Sequence, residues 1–113
     1  MHELAITENI VRIVEEQALR KKFSRVNRVR LEIGCLSNVE PEAIAFCFDV
    51  ATRGTIAEKA GLEILRIAGR SRCRDCGGEM DIDELGTPCS ACGGFRREIL
   101  AGNEIRIKDM EVE

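Results

Sequence analysis

Cys73-Arg74-Asp75-Cys76-Gly77-Gly78 and Cys89-Ser90-Ala91-Cys92-Gly93-Gly94 are two copies of one pattern, with twelve residues between Cys76 and Cys89. Two residues between paired cysteines let both sulfurs of a tight turn face one ion. The glycine that follows relieves the backbone as its amides fold toward them. The intervening stretch then supplies a hairpin that brings the two pairs together. Four thiolates around a tetrahedral centre favour zinc over magnesium or calcium, which require oxygen ligands. No position is left for water, so the expected site is structural rather than catalytic. An iron centre would use the same ligands. Two disulfides, or two redox pairs of the thioredoxin type, are the competing readings. A redox pair belongs near the start of a helix, where Gly77-Gly78 and Gly93-Gly94 would be disruptive. The remaining two of the six cysteines, Cys35 and Cys47, fall on apolar faces and read as core thiols.

The single histidine is His2. A histidine at a chain terminus is ordinarily inert, but this position has a specific chemistry. The amine of Met1, the deprotonated amide nitrogen of His2 and its imidazole can close adjacent chelate rings around one divalent ion. Planar nitrogen donors suit nickel(II) or copper(II). A carboxylate from Glu3 or from the distant Glu40, or a further backbone nitrogen, would complete the square.

These groups need elements to hold them. Residues 3–22 carry Leu4, Ile6, Ile10, Val11, Ile13, Val14, Ala18 and Leu19 at helical spacing, and end in the basic turn Arg20-Lys21-Lys22. From Val29 to Cys35 the period becomes two, which predicts a half-buried strand. Ser37-Asn38-Val39-Glu40-Pro41 offers a capping box between Ser37 and Glu40, with a proline tolerated in the first helical turn. The second helix that follows buries Ala43, Ile44, Cys47, Phe48 and Ala51, with Gly54 as a left-handed stop. Strands are expected over 62–68 and 104–112. The last has no other surface to bury against, so it must return to the first core, making the cysteine segment an insertion. The expected fold is α+β: two helices packed on a small mixed three-stranded sheet, with an inserted zinc-ribbon-like domain built on four cysteines. Residues 1–69 plus 101–113 form the core and 70–100 the insertion. The strands at 29–35 and 62–68, joined through a helix, are expected to be parallel neighbours.

With 113 residues, 44% hydrophobic and 33% charged, the chain has the composition of a small folded domain, neither disordered nor membrane-spanning. Seventeen basic against twenty acidic residues leave a net charge of −3, with no excess to draw it to nucleic acid or anionic lipid. Across residues 70–97 five arginines meet five acidic residues, and only Phe95 offers a stacking surface. A nucleic-acid module would carry a basic excess. His2, Glu3, Glu8 and Arg12 interrupt any secretory pattern, so a cytoplasmic location is expected, where cysteines stay reduced.

Met1-His2-Glu3-Leu4 opening an amphipathic helix, the stretch Val29 to Gly34, the paired CxxC knuckles and Gly102-Asn103-Glu104 before the last strand together resemble the HypA/HybF family. These are nickel metallochaperones of nickel–iron hydrogenase maturation, and the likeness spans essentially the whole chain. It implies a transient nickel(II) site centred on His2, with Met1 and Glu3 contributing main-chain nitrogen. Glu40 is the nearest match to an acidic residue that approaches the nickel in some members. It also implies a structural zinc(II) on Cys73, Cys76, Cys89 and Cys92. Some members carry histidines beside those cysteines; this chain has none, so zinc ligation would be all thiolate. The implied partners are the nickel-handling GTPase of the pathway and the hydrogenase large-subunit precursor. Some relatives also serve urease maturation proteins.

Two rivals remain on residues alone. A small zinc hydrolase or thiol oxidoreductase lacks an open metal position, a second histidine or a Ser/His pair, so no enzyme is expected. A zinc-ribbon docking module with an inert N-terminus is the alternative.

Overall fold

The computed structural model describes residues 3–113. Helix α1 runs Glu3–Lys21 and strand β1 Val26–Gly34; helix α2, Pro41–Ala51, precedes β2, Gly61–Ile67. Three short strands follow, β3 (Gly69–Cys73), β4 (Glu79–Ile82) and β5 (Arg97–Ala101), before the closing strand β6 (Ile105–Val112). They form two three-stranded sheets, ordered β2-β1-β6 and β4-β3-β5. This is the α+β architecture of two helices, a small sheet and a cysteine-rich insertion.

The first sheet is mixed. At one end of β1 the Ser24 N–H donates to Glu113 O and the Glu113 N–H to Arg25 O, both at 2.8 Å; at the other the Gly34 N–H reaches Glu104 O at 2.9 Å. Those pairings make β6 antiparallel to β1. Strand β2 runs the other way: Gly61 lies beside Asn27, and the Cys35 N–H donates to Ile67 O at 2.8 Å. The crossover through α2 is what permits this parallel pair.

By chain contact the molecule divides into one unit of 1–31, 39–65 and 107–113 and a second of 32–38 and 66–106. In the first, α1 packs on α2. Its core is Ile10, Val11 and Val14 from α1, Ile44 and Phe48 from α2, and Val26, Val29 and Leu31 from β1. The alternation expected for β1 holds, since Val29, Leu31 and Ile33 are all fully buried.

The helices depart from the expected stripes in definite ways. Leu4, Ile13 and Leu19 of α1 are exposed, Leu19 at 84%. One helical face holds three or four residues per two turns, and Ile10, Val11, Val14 and the fully buried Thr7 fill it. The Ser37–Glu40 capping box does not form. Glu40 is the N-cap of α2 without a side-chain capping bond, and the Ser37 hydroxyl instead donates to Gly34 O at 2.7 Å. Pro41 starts the helix, where its missing N–H costs nothing. Gly54 adopts φ +77° beyond its end.

In the second unit three glycines allow backbone to lie on backbone. A Cβ on Gly34 would fall 2.0 Å from Gly102 O, and one on Gly69 would fall 2.3 Å from Ile82 O. Gly102 takes φ +92° and lies against Gly69 in turn. The Leu36 N–H donates to Gly102 O at 2.7 Å across the same junction. Since the obstacle is main chain and cannot rotate away, Gly34→Ala is expected to destabilise by about 3 kcal/mol, the upper end for overpacking, measured as a lower urea midpoint at unchanged slope.

Candidate metal centre

The first knuckle is the turn of a hairpin. Strand β3 ends at Cys73, β4 starts at Glu79, and the two pair antiparallel with Arg72 opposite Glu79. The second knuckle lies between β4 and β5, and β5 returns antiparallel on β3 with Arg97 opposite Cys73. One strand, β3, thereby carries the first cysteine and receives both neighbours.

The two knuckles repeat each other bond for bond. In the first, the Cys73 N–H donates to Gly78 O at 2.8 Å and the Gly77 N–H to Cys73 O at 2.9 Å. In the second, Cys89 N–H donates to Gly94 O and Gly93 N–H to Cys89 O, both at 2.8 Å. Closing this loop requires a left-handed residue, and Gly77 and Gly93 supply it with φ of +78° and +76°. A side chain on Gly94 would meet Asp75 Oδ2 at 2.6 Å and Cys92 Sγ at 3.3 Å, so that glycine is held by space rather than conformation.

All four Sγ atoms lie within 4.8 Å of one another. Cys73 Sγ is 3.6 Å from Cys92 Sγ, and Cys76 Sγ is 3.6 Å from Cys89 Sγ. A tetrahedron with zinc–sulfur bonds of about 2.3 Å has sulfur–sulfur edges of about 3.8 Å. The four cysteines therefore fit a tetrahedral thiophilic ion in both number and spacing.

Electrostatics agree. The N–H groups of Cys76 and Asp75 pull the Cys73 thiol below its ordinary range, and those of Cys92 and Ala91 bring Cys89 down to about 6. For Cys92 the Gly94 N–H also pulls downward, but the crowding of Cys73 and Cys76 outweighs it and pushes the thiol up to about 12. Cys76 is raised in the same way: its bond from Gly78 is overcome by Cys89 and Cys73. Backbone N–H groups thus favour the thiolate at Cys73 and Cys89, while the crowded sulfurs disfavour it at Cys76 and Cys92. Four thiolates in one place repel each other, and a divalent cation in place of the protons removes that conflict.

Charges around the cluster are mutually consumed. Arg96 Nε donates to Asp75 Oδ1 at 2.9 Å, tying the residue after the second knuckle to the first. Arg70 pairs with Asp81 at 2.9 Å, and Arg72 with Glu79 at 3.3 Å and Glu98 at 3.2 Å. Arg97 reaches Thr87 O, and Arg74 Nε reaches Arg97 O at 3.2 Å. Equal counts of arginine and acid are plain in the sequence; the Asp75–Arg96 tie between knuckles is not, because only the fold brings them together.

The nickel residues divide differently. Met1 and His2 lie outside the described residues. Glu3 is the first residue of α1, where backbone N–H groups have no partner within the helix and an acid suits the positive end of its dipole. Thr7, fully buried, donates its hydroxyl to Glu3 O at 3.1 Å and Leu4 O at 2.9 Å. Glu40 is exposed at the start of α2. Cys35 and Cys47 are half-buried and do not belong to the four-sulfur cluster. Among the described residues no helix is long and apolar enough to cross a membrane.

A family model described as "Hydrogenase/urease nickel incorporation, metallochaperone, hypA" matches residues 1–112. Hydrogenase maturation factor HypA of Nostoc punctiforme is 50% identical over 113 residues, spanning all of this chain and 96% of that protein. Its namesake from Azotobacter chroococcum is 45% identical over 113 residues, spanning both chains entirely. The solution structure of the nickel metallochaperone HypA from Helicobacter pylori is similar at a TM-score of 0.74 and 24% identity, covering 99% of this chain and 97% of that one. That likeness concerns the fold.

Proposed function

Because this chain belongs to the HypA family of hydrogenase maturation factors, we propose that it binds nickel(II) at its N-terminus and delivers it during nickel–iron hydrogenase maturation. The observation that carries this reading is the family match over residues 1–112, which takes in Met1-His2-Glu3 together with both knuckles.

In this reading the Met1 amine, the His2 amide and imidazole, and the Glu3 amide offer nickel a set of nitrogen donors, and Glu40 lends a carboxylate. Support for an amide role comes from the position of Glu3 in the first turn, where giving up an N–H proton breaks no helical hydrogen bond. Nickel is cargo, released by ligand exchange to a docked partner, and no substrate bond is broken. Nitrogen donors alone would prefer copper(II), so selection rests on metal supply and docking. The receiving proteins are the nickel-handling GTPase and the hydrogenase large-subunit precursor, with urease maturation proteins as further recipients, all in the cytoplasm.

Cys73, Cys76, Cys89 and Cys92 hold zinc, which supplies a crosslink rather than a reaction. The N-terminal core of 1–69 with 101–113 carries the nickel site and 70–100 the zinc site. Paired arginines around the cluster support a protein-facing role over a nucleic-acid one.

Metal analysis of protein with an unmodified N-terminus tests the reading. One zinc per chain is expected as purified, and one nickel in addition after loading and desalting. Zinc alone after nickel loading would favour the docking-module alternative.

A further inference from the structure

The second sheet has an inner and an outer face. On β3 Gly69, Ser71 and Cys73 are buried while Arg70 and Arg72 are exposed. On β5 Arg97, Ile99 and Ala101 are half-buried while Glu98 and Leu100 are exposed. The register sets Ser71 opposite Ile99 and Cys73 opposite Arg97. Side chains of opposed residues share a face, so a guanidinium stands among inward-facing residues beside a cysteine of the cluster.

Arg97 differs from the other arginines around it. Arg70, Arg72 and Arg96 are all exposed and paired with carboxylates. Arg74 and Arg97 meet only main-chain carbonyls, and Arg74 is exposed to water. Arg97 is held by Nη2 on Thr87 O and by Nε on Phe95 O at 3.5 Å. Its Nη1 is the single side-chain atom among the described residues that is buried without a hydrogen-bond partner. A buried cation with no counter-charge is costly, so an atom left in this state calls for an acceptor. Arg97 shares a cavity of about 10 Å³ with Ser71, Met80, Cys73 and Cys89, and no carboxylate lines it. That space holds at most one water. Cys73 and Cys89 are also the two buried members of the cluster, whereas Cys76 and Cys92 are exposed and can be solvated. Four thiolates around one divalent ion keep a surplus of negative charge, and burial concentrates the need for compensation on these two sulfurs.

We infer that Arg97 is the counter-charge of the zinc–thiolate centre, its Nη1 hydrogen-bonding toward the buried sulfurs of Cys73 and Cys89. It is a positioning residue that acts on the metal through its ligands, as groups behind metal ligands do. Charge donated to these sulfurs lowers their electron density, which holds the thiolates against protonation and dampens their attack on electrophiles. The inference rests on the four cysteines being a zinc site and is independent of nickel delivery.

Cobalt(II) in place of zinc, in the full chain, tests it through the sulfur-to-metal charge-transfer absorption. In Arg97→Gln that band should move to longer wavelength, and iodoacetamide should alkylate the metal-bound thiolates several-fold faster. Zinc should bind about 10-fold more weakly in competition with a chelator. Arg97→Lys keeps the charge and should restore the band and the alkylation rate toward the native values. Arg72→Gln removes two ion pairs from the outer face of the same sheet and should leave both readings unchanged. A native band position and alkylation rate in Arg97→Gln would overturn the assignment even if zinc affinity fell, because losing the Thr87 contact alone does not alter the charge on sulfur. A shift in Arg97→Lys as large as in Arg97→Gln would also overturn it. A native protein that takes up no cobalt and no zinc would instead remove the zinc site itself, and this inference with it.

Discussion

Nickel affinity is expected to fall by at least about 100-fold in His2→Ala, since changes even one shell removed from a metal ligand cost about 10–100-fold. Extending the chain before Met1 should have a comparable effect, because it converts the terminal amine into an amide and displaces the first chelate ring. Titration calorimetry, with zinc already bound, reads both. The pH dependence has a definite sign. Nickel replaces protons on the amine, the amide and the imidazole, so binding releases protons and strengthens as pH rises. It should weaken steeply as pH falls through the histidine range near 6.5 and below the amine range near 8. Equal affinity in all three proteins would remove the N-terminal site. Zinc content should be the same in each, because the four-sulfur cluster lies in a different unit from the start of α1.

Removing zinc should be the most disruptive change to the fold. The second unit has few buried apolar side chains: Ile33, Ile82 and two of the cysteines themselves, Cys73 and Cys89. So small a core does not offset the entropy of ordering its chain, and a structural metal is the usual remedy. Zinc binding in comparable small sites is worth about 10–16 kcal/mol at neutral pH. Cys73→Ala, or stripping the metal with a chelator, is therefore expected to abolish amide protection across β3, β4 and β5. The buried α1 and α2 amides of the first unit should keep theirs. Hydrogen exchange on apo and zinc-loaded protein distinguishes these outcomes, and unchanged protection in β3 after zinc removal would show that the cluster is not a structural clamp. Acidification should release zinc as protons return to the thiolates.

Elements with strong periodicity are legible in the residues alone. The apolar alternation of Val29, Leu31 and Ile33 requires burial of one strand face, and two identical CxxCGG turns require convergence on one centre. What the sequence obscures has physical causes. The apolar residues of α1 exceed the width of one buried face, and only packing decides that Leu4, Ile13 and Leu19 stay outside. Ser37 could bond locally in two ways, and the tight turn after Gly34 wins over the helix cap. The strands β3, β4 and β5 are short and rich in charge, so their cross-strand Arg–Glu and Arg–Asp pairs emerge only once partners 7 to 26 residues apart are aligned. The contact of Gly34 with Gly102 joins residues far apart in the chain and leaves no local pattern at all.

X-ray absorption at the nickel edge, recorded on native protein and on His2→Ala loaded with one equivalent of nickel, tests the delivery role most directly. In the native protein the expected signature is a first shell of nitrogen and oxygen donors with multiple scattering from one imidazole ring, and no sulfur. Loss of that ring signature in His2→Ala would place the imidazole on the metal. Sulfur in the first shell, or identical spectra from the two proteins, would contradict N-terminal nickel binding.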